Sequence, residues 1–299
     1  MIQTTIAQKT LNLLFPQWQG SGSTNEIYHG AMLIHDYLKD RGFDRVSVSL
    51  NQTLKLKNNI LGYSPLLQQL SQAKNIIQQQ DPDRLLVIGG DCSIDIAPVS
   101  FLNRKYNGDL AVIWIDAHAD LNTPASSPSK HFHGMPLRVL LGEGNSEIIE
   151  LSSVLSPSQI FLVGARDFDP PEANYLEQEN IAFFPPQAIE HDSQSLIDAI
   201  AKANFQHGSG ICSLAESISS RQNIHIHCDL DAIDPLEFPW VKCPAANGLT
   251  IELLSELLQQ LSSRFNLVGF SITEFAPFKK QGLEKITELV NKMFDQFQY

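Results

Sequence analysis

The sequence predicts an α/β domain: a three-layer α/β/α sandwich around a mostly parallel sheet. Two observations carry that expectation. Short runs rich in Val, Ile, Leu and Phe recur along the chain, with the length and near-continuous apolarity of strands buried on both faces. Helical periods lie between several of them, and strand–helix alternation is the pattern of a parallel sheet covered by helices. In open sheets of this kind ligands bind beyond the carboxyl ends of the strands, so the residues that follow each run are the informative ones.

In chain order, a weak run at 45–50 precedes a helix over 64–80, where Ser64 before Pro65 reads as an N-cap followed by a first-turn proline. Leu66, Leu70, Ala73 and Ile77 fall on one face of that helix. Clear strands follow at 84–88 (RLLVI), 110–115 (LAVIWI) and 159–163 (QIFLV), with a weaker one at 181–184. Two more, 224–228 (IHIHC) and 267–272 (LVGFSI), flank a helix that Thr250 can cap and that carries Leu253, Leu254, Leu257, Leu258 and Leu261. A last helix spans 284–297, with Ile286, Leu289, Val290 and Met293 on its apolar stripe. No linker, repeat or low-complexity tract divides the chain, so residues 1–299 are expected to form one domain.

Composition narrows the function. The 299 residues include 33 acidic and 21 basic side chains, a formal net charge of −12, with 43% apolar and 18% charged residues. That balance argues against a nucleic-acid or anionic-membrane partner, since both require a basic footprint. No apolar run approaches the roughly 20 residues of a membrane span. The first ten residues lack the charged-then-apolar layout of a signal peptide, so a cytoplasmic protein is expected. Cys92, Cys212, Cys228 and Cys243 form no CxxC pair, and reduced thiols are the default in that compartment.

The residues after the strands are rich in carboxylates and imidazoles. Run 84–88 leads into Gly89-Gly90-Asp91-Cys92, run 110–115 into Asp116-Ala117-His118-Ala119-Asp120, and run 224–228 into Asp229-Leu230-Asp231-Ala232-Ile233-Asp234-Pro235. Spacing by two puts Asp116, His118 and Asp120 on one face while the backbone stays extended, and does the same for Asp229 and Asp231. Carboxylates pooled at one sheet edge repel and raise one another's pKa. Divalent cations remove that cost, and mixed carboxylate–imidazole donors suit Mn²⁺, Fe²⁺, Co²⁺ or Zn²⁺. Taken singly, either aspartate motif is equally a turn or an N-cap.

Together, the two motifs resemble the signature pair of the arginase/agmatinase (ureohydrolase) family, in the same order from Gly89 to about Pro277. The resemblance implies an α/β/α fold around a parallel sheet and a binuclear manganese enzyme that hydrolyses guanidino compounds. It also implies a homo-oligomer, a trimer or hexamer. Among the metal ligands, Asp116 and Asp229 would bridge two Mn²⁺ ions. Asp120 and the residue at position 92 would complete the first site, and His118 and Asp231 the second. Position 92 is a histidine in the family and a cysteine here. A thiolate favours Zn²⁺ or Fe²⁺ over Mn²⁺, so Cys92 either keeps a two-metal site with altered preference or leaves the first site weak and a single ion bound. It is otherwise a small buried residue. His227 stands where the family usually has serine. It either supplies the missing imidazole or is a core histidine satisfied by hydrogen bonds.

The polar stretch between Asp120 and His133 reads as a binding loop. By the resemblance, Asn122, Ser127 and Ser129 would bind an α-carboxylate, which favours arginine over agmatine, and His131 replaces an expected asparagine. His133 would shuttle a proton to the leaving amine. Asp169 would contact the α-amino group, and Glu274 would clamp the guanidinium by a charge-assisted pair. The implied reaction is attack of a metal-activated water on the guanidinium carbon, with Asp120 orienting the nucleophile and relaying its proton, to give urea and ornithine. Agmatinase or formiminoglutamase activity shares these motifs. A non-catalytic protein of the same fold is the reading that Cys92 and His227 favour, and a zinc-dependent amide deacetylase fits the 116–120 pattern less well. Gly20 and Gly22 serve either a tight turn near the site or a surface loop.

Overall fold

All five clear apolar runs form strands. The structure is a computed structural model that describes residues 8–22, 24–203 and 221–297, so Cys212 and most of the N-terminal stretch lie outside the described residues. The strands are β1 (Thr10–Phe15), β2 (Asp44–Arg45), β3 (Leu56–Lys57), β4 (Ile60–Leu61), β5 (Arg84–Gly89), β6 (Ala111–Ile115), β7 (Ile160–Val163), β8 (Ala182–Phe184), β9 (Asn223–Asp229) and β10 (Asn266–Thr273). Eight of them make one sheet in the order β2-β1-β5-β10-β9-β6-β7-β8, with every neighbouring pair parallel. β3 and β4 form a separate antiparallel ribbon.

The strands are apolar throughout because both faces are covered. Along β6, Ile113 and Ile115 enter one core while Val112 and Trp114 enter the other. Helices Tyr63–Gln80 and Ile96–Lys105 cover the Trp114 side through Leu66, Leu70, Val99 and Leu102. Helices Ile251–Arg264 and Leu283–Asp295 cover the opposite side through Leu254, Leu257, Ile286 and Leu289. The expected three layers are present.

Details differ at the ends of elements. The first of these helices begins at Tyr63, capped by Gly62 in a left-handed conformation (φ 75°), so Ser64 lies inside its first turn and is not the N-cap. Thr250 behaves as expected, its Oγ1 accepting from the Leu253 N–H at 3.1 Å. The run at 45–50 contributes only Arg45 to the two-residue β2, because the Ser47 N–H turns away to the Gln72 side chain (3.1 Å). β1 carries few of the Val and Ile residues that mark the other strands, and sequence periodicity alone did not reveal it.

The sheet order positions the site. β5 and β6 follow one another in sequence but stand two strands apart, and β10 and β9 fill the slot between them. Strand order reverses direction here, which is where doubly wound sheets open a ligand crevice. The four middle strands deliver Cys92, Glu274, Asp229 and Asp116 side by side at their carboxyl ends.

Close backbone contact is part of this arrangement. Gly90 donates its N–H to the Phe15 carbonyl (3.0 Å) and accepts from the Glu274 N–H (2.7 Å), and a Cβ there would lie 1.8 Å from the Gln17 carbonyl oxygen. Gly90→Ala must therefore push β1 from β5. We expect it to lower unfolding stability by about 2 kcal/mol, the scale of an overpacked core. Chemical denaturation checks this, and a midpoint equal to that of the parent would show that the two strands give way freely.

Candidate metal centre

Both aspartate motifs leave the sheet as turns, which corrects the expectation of extended alternation. β6 ends at Ile115, the Asp116 Oδ1 accepts from the His118 N–H at 2.7 Å, and Asp120 is left-handed with φ 55°. Asp229 closes β9, and its Oδ1 accepts from the Asp231 N–H (2.7 Å) to start the turn Leu230–Ala232. The carboxylates converge because each turn folds back over its strand end.

Two donor groups result. Ligand atoms of Asp116, His118 and Asp231 lie within 4.8 Å of one another, and so do those of Cys92, Asp116, His227 and Asp229. Within the first group His118 Nδ1 is 3.0 Å from Asp231 Oδ2 and 3.4 Å from Asp116 Oδ1. Within the second Cys92 Sγ is 2.8 Å from Asp229 Oδ2. Asp116 belongs to both groups, and Asp120 to neither.

The electrostatics favour a cation. Burial, reinforced by the Asp231 and Asp116 charges, drives the Asp229 carboxyl well above its ordinary range, and burial with the Asp116 charge does the same to Asp120. Asp231 is raised by burial and then by Asp116. Burial and the neighbouring Asp229 raise the Cys92 thiol. Burial opposes charge on His118, yet the Asp231 and Asp116 carboxylates outweigh it and raise its pKa. Asp120 Oδ2 is buried without a hydrogen-bond partner among the described residues. Hard oxygen donors, two imidazoles and a thiol, crowded and short of positive charge, are a donor set that fits divalent metal ions.

All of these residues except His227, which lies beneath, line one cavity of about 150 Å³, which also holds Asn122, Ser127, Ser129, His133, Asp169 and Glu172 and has no lysine or arginine on its described wall. The Asn122 amide donates to Asp169 Oδ2 (2.8 Å). Ser127 Oγ accepts from the Lys130 N–H (3.0 Å) and Ser129 Oγ from the His131 N–H (3.2 Å), and the two hydroxyls contact each other at 3.4 Å, so one proton of the pair is left to donate into the cavity. Glu274 stands behind this wall, with Oε1 3.2 Å from His133 Nδ1 and 3.7 Å from Cys92 Sγ, and its Oε2 is buried without a partner among the described residues. That contact raises the His133 pKa against the effect of burial.

Several contributors were not singled out in the sequence. Asp95 is fully buried and joins His225 Nε2 (3.1 Å) and His227 Nδ1 (2.7 Å). Its position three residues after Cys92 was the available signal. Glu172 accepts from the Leu121 N–H and the Asp169 N–H, both at 2.9 Å, and so ties the two sides of the cavity together. The Asp-Pro-Pro-Glu order is a capping-box signature that could have indicated it. Arg166 donates from Nη2 to the carbonyls of Asp231 (2.9 Å) and Ala245 (2.7 Å), bracing the second aspartate turn. Cys243 reaches the wall from a loop with no motif. Gly20, left open between two roles, lies at the site: its N–H donates to Asp91 Oδ2 (2.9 Å) and its carbonyl accepts from the His133 N–H (3.2 Å).

Comparison with known proteins agrees with this architecture. The sequence profile described as the Arginase family matches residues 29–297. An arginase of Staphylococcus aureus (strain MRSA252) is 32% identical over 268 residues, which is 87% of this chain and 84% of that protein. An arginase of Schizosaccharomyces pombe is 31% identical over 211 residues, 69% of this chain and 62% of that one. Among solved structures, the arginase of Entamoeba histolytica in complex with L-ornithine superposes with a TM-score of 0.81 at 22% identity, covering 97% of this chain and 98% of that one. A putative agmatinase from Clostridium difficile superposes at 0.66 with 16% identity, covering 97% and 95%. Such distant likenesses show the fold, while the profile and the closer sequence matches show more: with hydrolases of linear amidines on every side of it, the chain belongs to the metal-dependent arginase family.

Proposed function

We propose that the protein hydrolyses the guanidino group of arginine to urea and ornithine. The observation that carries this reading is the wall of the cavity, where Asn122, Ser127 and Ser129 sit beside the carboxylate cluster. The acidic interior attracts the guanidinium and the α-amino group. An α-carboxylate needs neutral donors in such surroundings, and the Asn122 amide with the Ser127–Ser129 hydroxyl pair would supply them. Agmatine has no carboxylate for these groups to hold.

By the family likeness Asp116 and Asp229 would help to hold two cations, Asp116 being common to both donor groups, with manganese the expected ion at the second position. His118 and Asp231 would hold that one, and Asp120 and Cys92 would contribute to the other. Bound cations supply Lewis acidity and lower the pKa of water. Asp120, whose Oδ2 is free to accept, orients the attacking water and takes its proton. Glu274 is the counter-charge for the guanidinium, and its bond to His133 Nδ1 fixes the ring so that the remaining nitrogen delivers a proton to the departing amine. Asp169, held by Asn122, receives the α-ammonium. The same family likeness supports a homo-oligomeric single-domain assembly, which light scattering of the purified protein would test.

Urea release on arginine and agmatine, and formamide release on formiminoglutamate, with Mn²⁺, Fe²⁺, Co²⁺ or Zn²⁺ tests the proposal. Arginine should give the highest kcat/KM, and a preference for agmatine would sink the arginine reading. Asn122→Ala should raise KM for arginine about tenfold, the loss of roughly one hydrogen bond to a charged group. Turnover of agmatine should change little.

A further inference from the structure

We propose that one of the two cation positions in this chain is a mixed thiolate–imidazole–carboxylate site formed by Cys92 Sγ, His227 Nε2 and oxygens of Asp116 and Asp229, and that it takes a borderline ion such as Zn²⁺ in preference to Mn²⁺. The inference rests on the proposed two-cation cleft and specifies its chemistry.

Geometry is the first support. The four donors come from three strand ends, are fully or almost fully buried, and lie within 4.8 Å of one another. Thr273 Oγ1 stands close to both, 3.9 Å from Cys92 Sγ and 3.5 Å from His227 Nε2. No other described cysteine belongs to such a group.

The orientation of His227 is the second. Asp95 is buried among three donors: His225 Nε2, His227 Nδ1 and the Ser271 hydroxyl. A carboxylate oxygen 2.7 Å from Nδ1 takes the proton of that nitrogen in a hydrogen bond and leaves Nε2 on the Thr273 side of the ring. The Trp114 ring stacks on the imidazole with centroids 3.7 Å apart and an interplanar angle of 13°, which prevents its rotation. A carboxylate behind an imidazole is the arrangement that orients metal-ligating histidines. The one contact that Nε2 makes among the described residues is the long one to the Thr273 hydroxyl, which a cation can displace.

Ligation replaces the S–H bond with an S–metal bond and releases one proton to solvent. Thiolate and imidazole together suit Zn²⁺, Fe²⁺ or Co²⁺, whereas Mn²⁺ prefers oxygen.

The test uses the full chain, stripped by a chelator and titrated with Co²⁺. Wild type should develop a near-ultraviolet thiolate-to-cobalt charge-transfer band that saturates at one equivalent. Cys92→Ser should lose the band, Cys243→Ser should retain it, and Asp95→Asn should weaken Co²⁺ affinity about 10- to 100-fold. Cys92→His, which restores an imidazole in a near-native frame, should lose the band but keep the stoichiometry. With equimolar Zn²⁺ and Mn²⁺, metal counting should find zinc at one position in wild type and less in that variant. A wild-type protein that binds two Co²⁺ without the band, or a band that survives Cys92→Ser, overturns the proposal. Urea release in the same samples keeps the two readings apart: turnover without the band removes only the thiolate site, and a band without turnover removes only the hydrolysis reading.

Discussion

Asparagine in place of Asp116 is expected to cut urea release from arginine about 10³-fold or more, some 4 kcal/mol of transition-state stabilisation. Asp116 is the one described residue common to both donor groups, so its charge would serve both proposed cations at once. The substitution is otherwise mild. The amide oxygen can still accept from the His118 N–H, and only the bond that Trp114 Nε1 donates to Oδ2 (3.1 Å) is lost. That costs about 1 kcal/mol of stability. The stripped variant also loses one of several repelling charges, so its thermal midpoint should stay near that of the stripped parent. Metal content should fall below the parent value. Turnover and metal content within threefold of wild type would show that Asp116 is only the acceptor that shapes its turn.

Glu274→Gln should lower kcat/KM for arginine about 10²-fold, close to 3 kcal/mol, with metal content unchanged. The estimate is that of removing one charge from a buried ion pair while leaving its partner in place. Glu274 suits this role because its Oε2 has no hydrogen-bond partner among the described residues, whereas Oε1 is committed to His133. Glutamine keeps the size and the contact to the ring but cannot neutralise a guanidinium. Loss of metal in this variant, or an effect as large on the pH optimum as on kcat/KM, would point instead to a role in setting the state of Cys92 or His133.

Much of this was legible in the sequence, for reasons that differ from residue to residue. The strands read clearly because a parallel sheet covered on both faces requires unbroken apolar runs, and β5, β6, β9 and β10 supply them. The cluster of Asp116, His118, Asp229 and Asp231 read clearly because each motif abuts such a run. Their geometry did not. Spacing by two suggested extended backbone, yet carboxylates that accept from the amide two residues ahead make turns, as at Asp116 and Asp229. Asp120 and Glu274, both left-handed, depart from the strand direction in a way no propensity signals. Asp95 escaped notice because its role depends on two imidazoles from a strand 130 and 132 residues away in sequence. Cys243 enters from a loop whose position only the assembled fold defines.

The placement of β9 and β10 between β5 and β6 also bears on how the molecule comes into being. Some 220 residues are synthesised before the first of these inner strands exists. Until then β5 and β6 have no partners along their facing edges, and both edges are rich in Val, Ile and Leu. Unpaired apolar strand edges invite association with other chains. Closing the gap requires pairings between residues more than a hundred positions apart, and contacts that distant make folding slow. The cluster of Cys92, Asp116, Asp229 and Asp231 straddles this late seam, so a nascent chain assembles the proposed cation-binding cleft only as its final strands arrive. Chemistry and completion of the fold are thus the same event, and an unfinished chain cannot be a partly competent one.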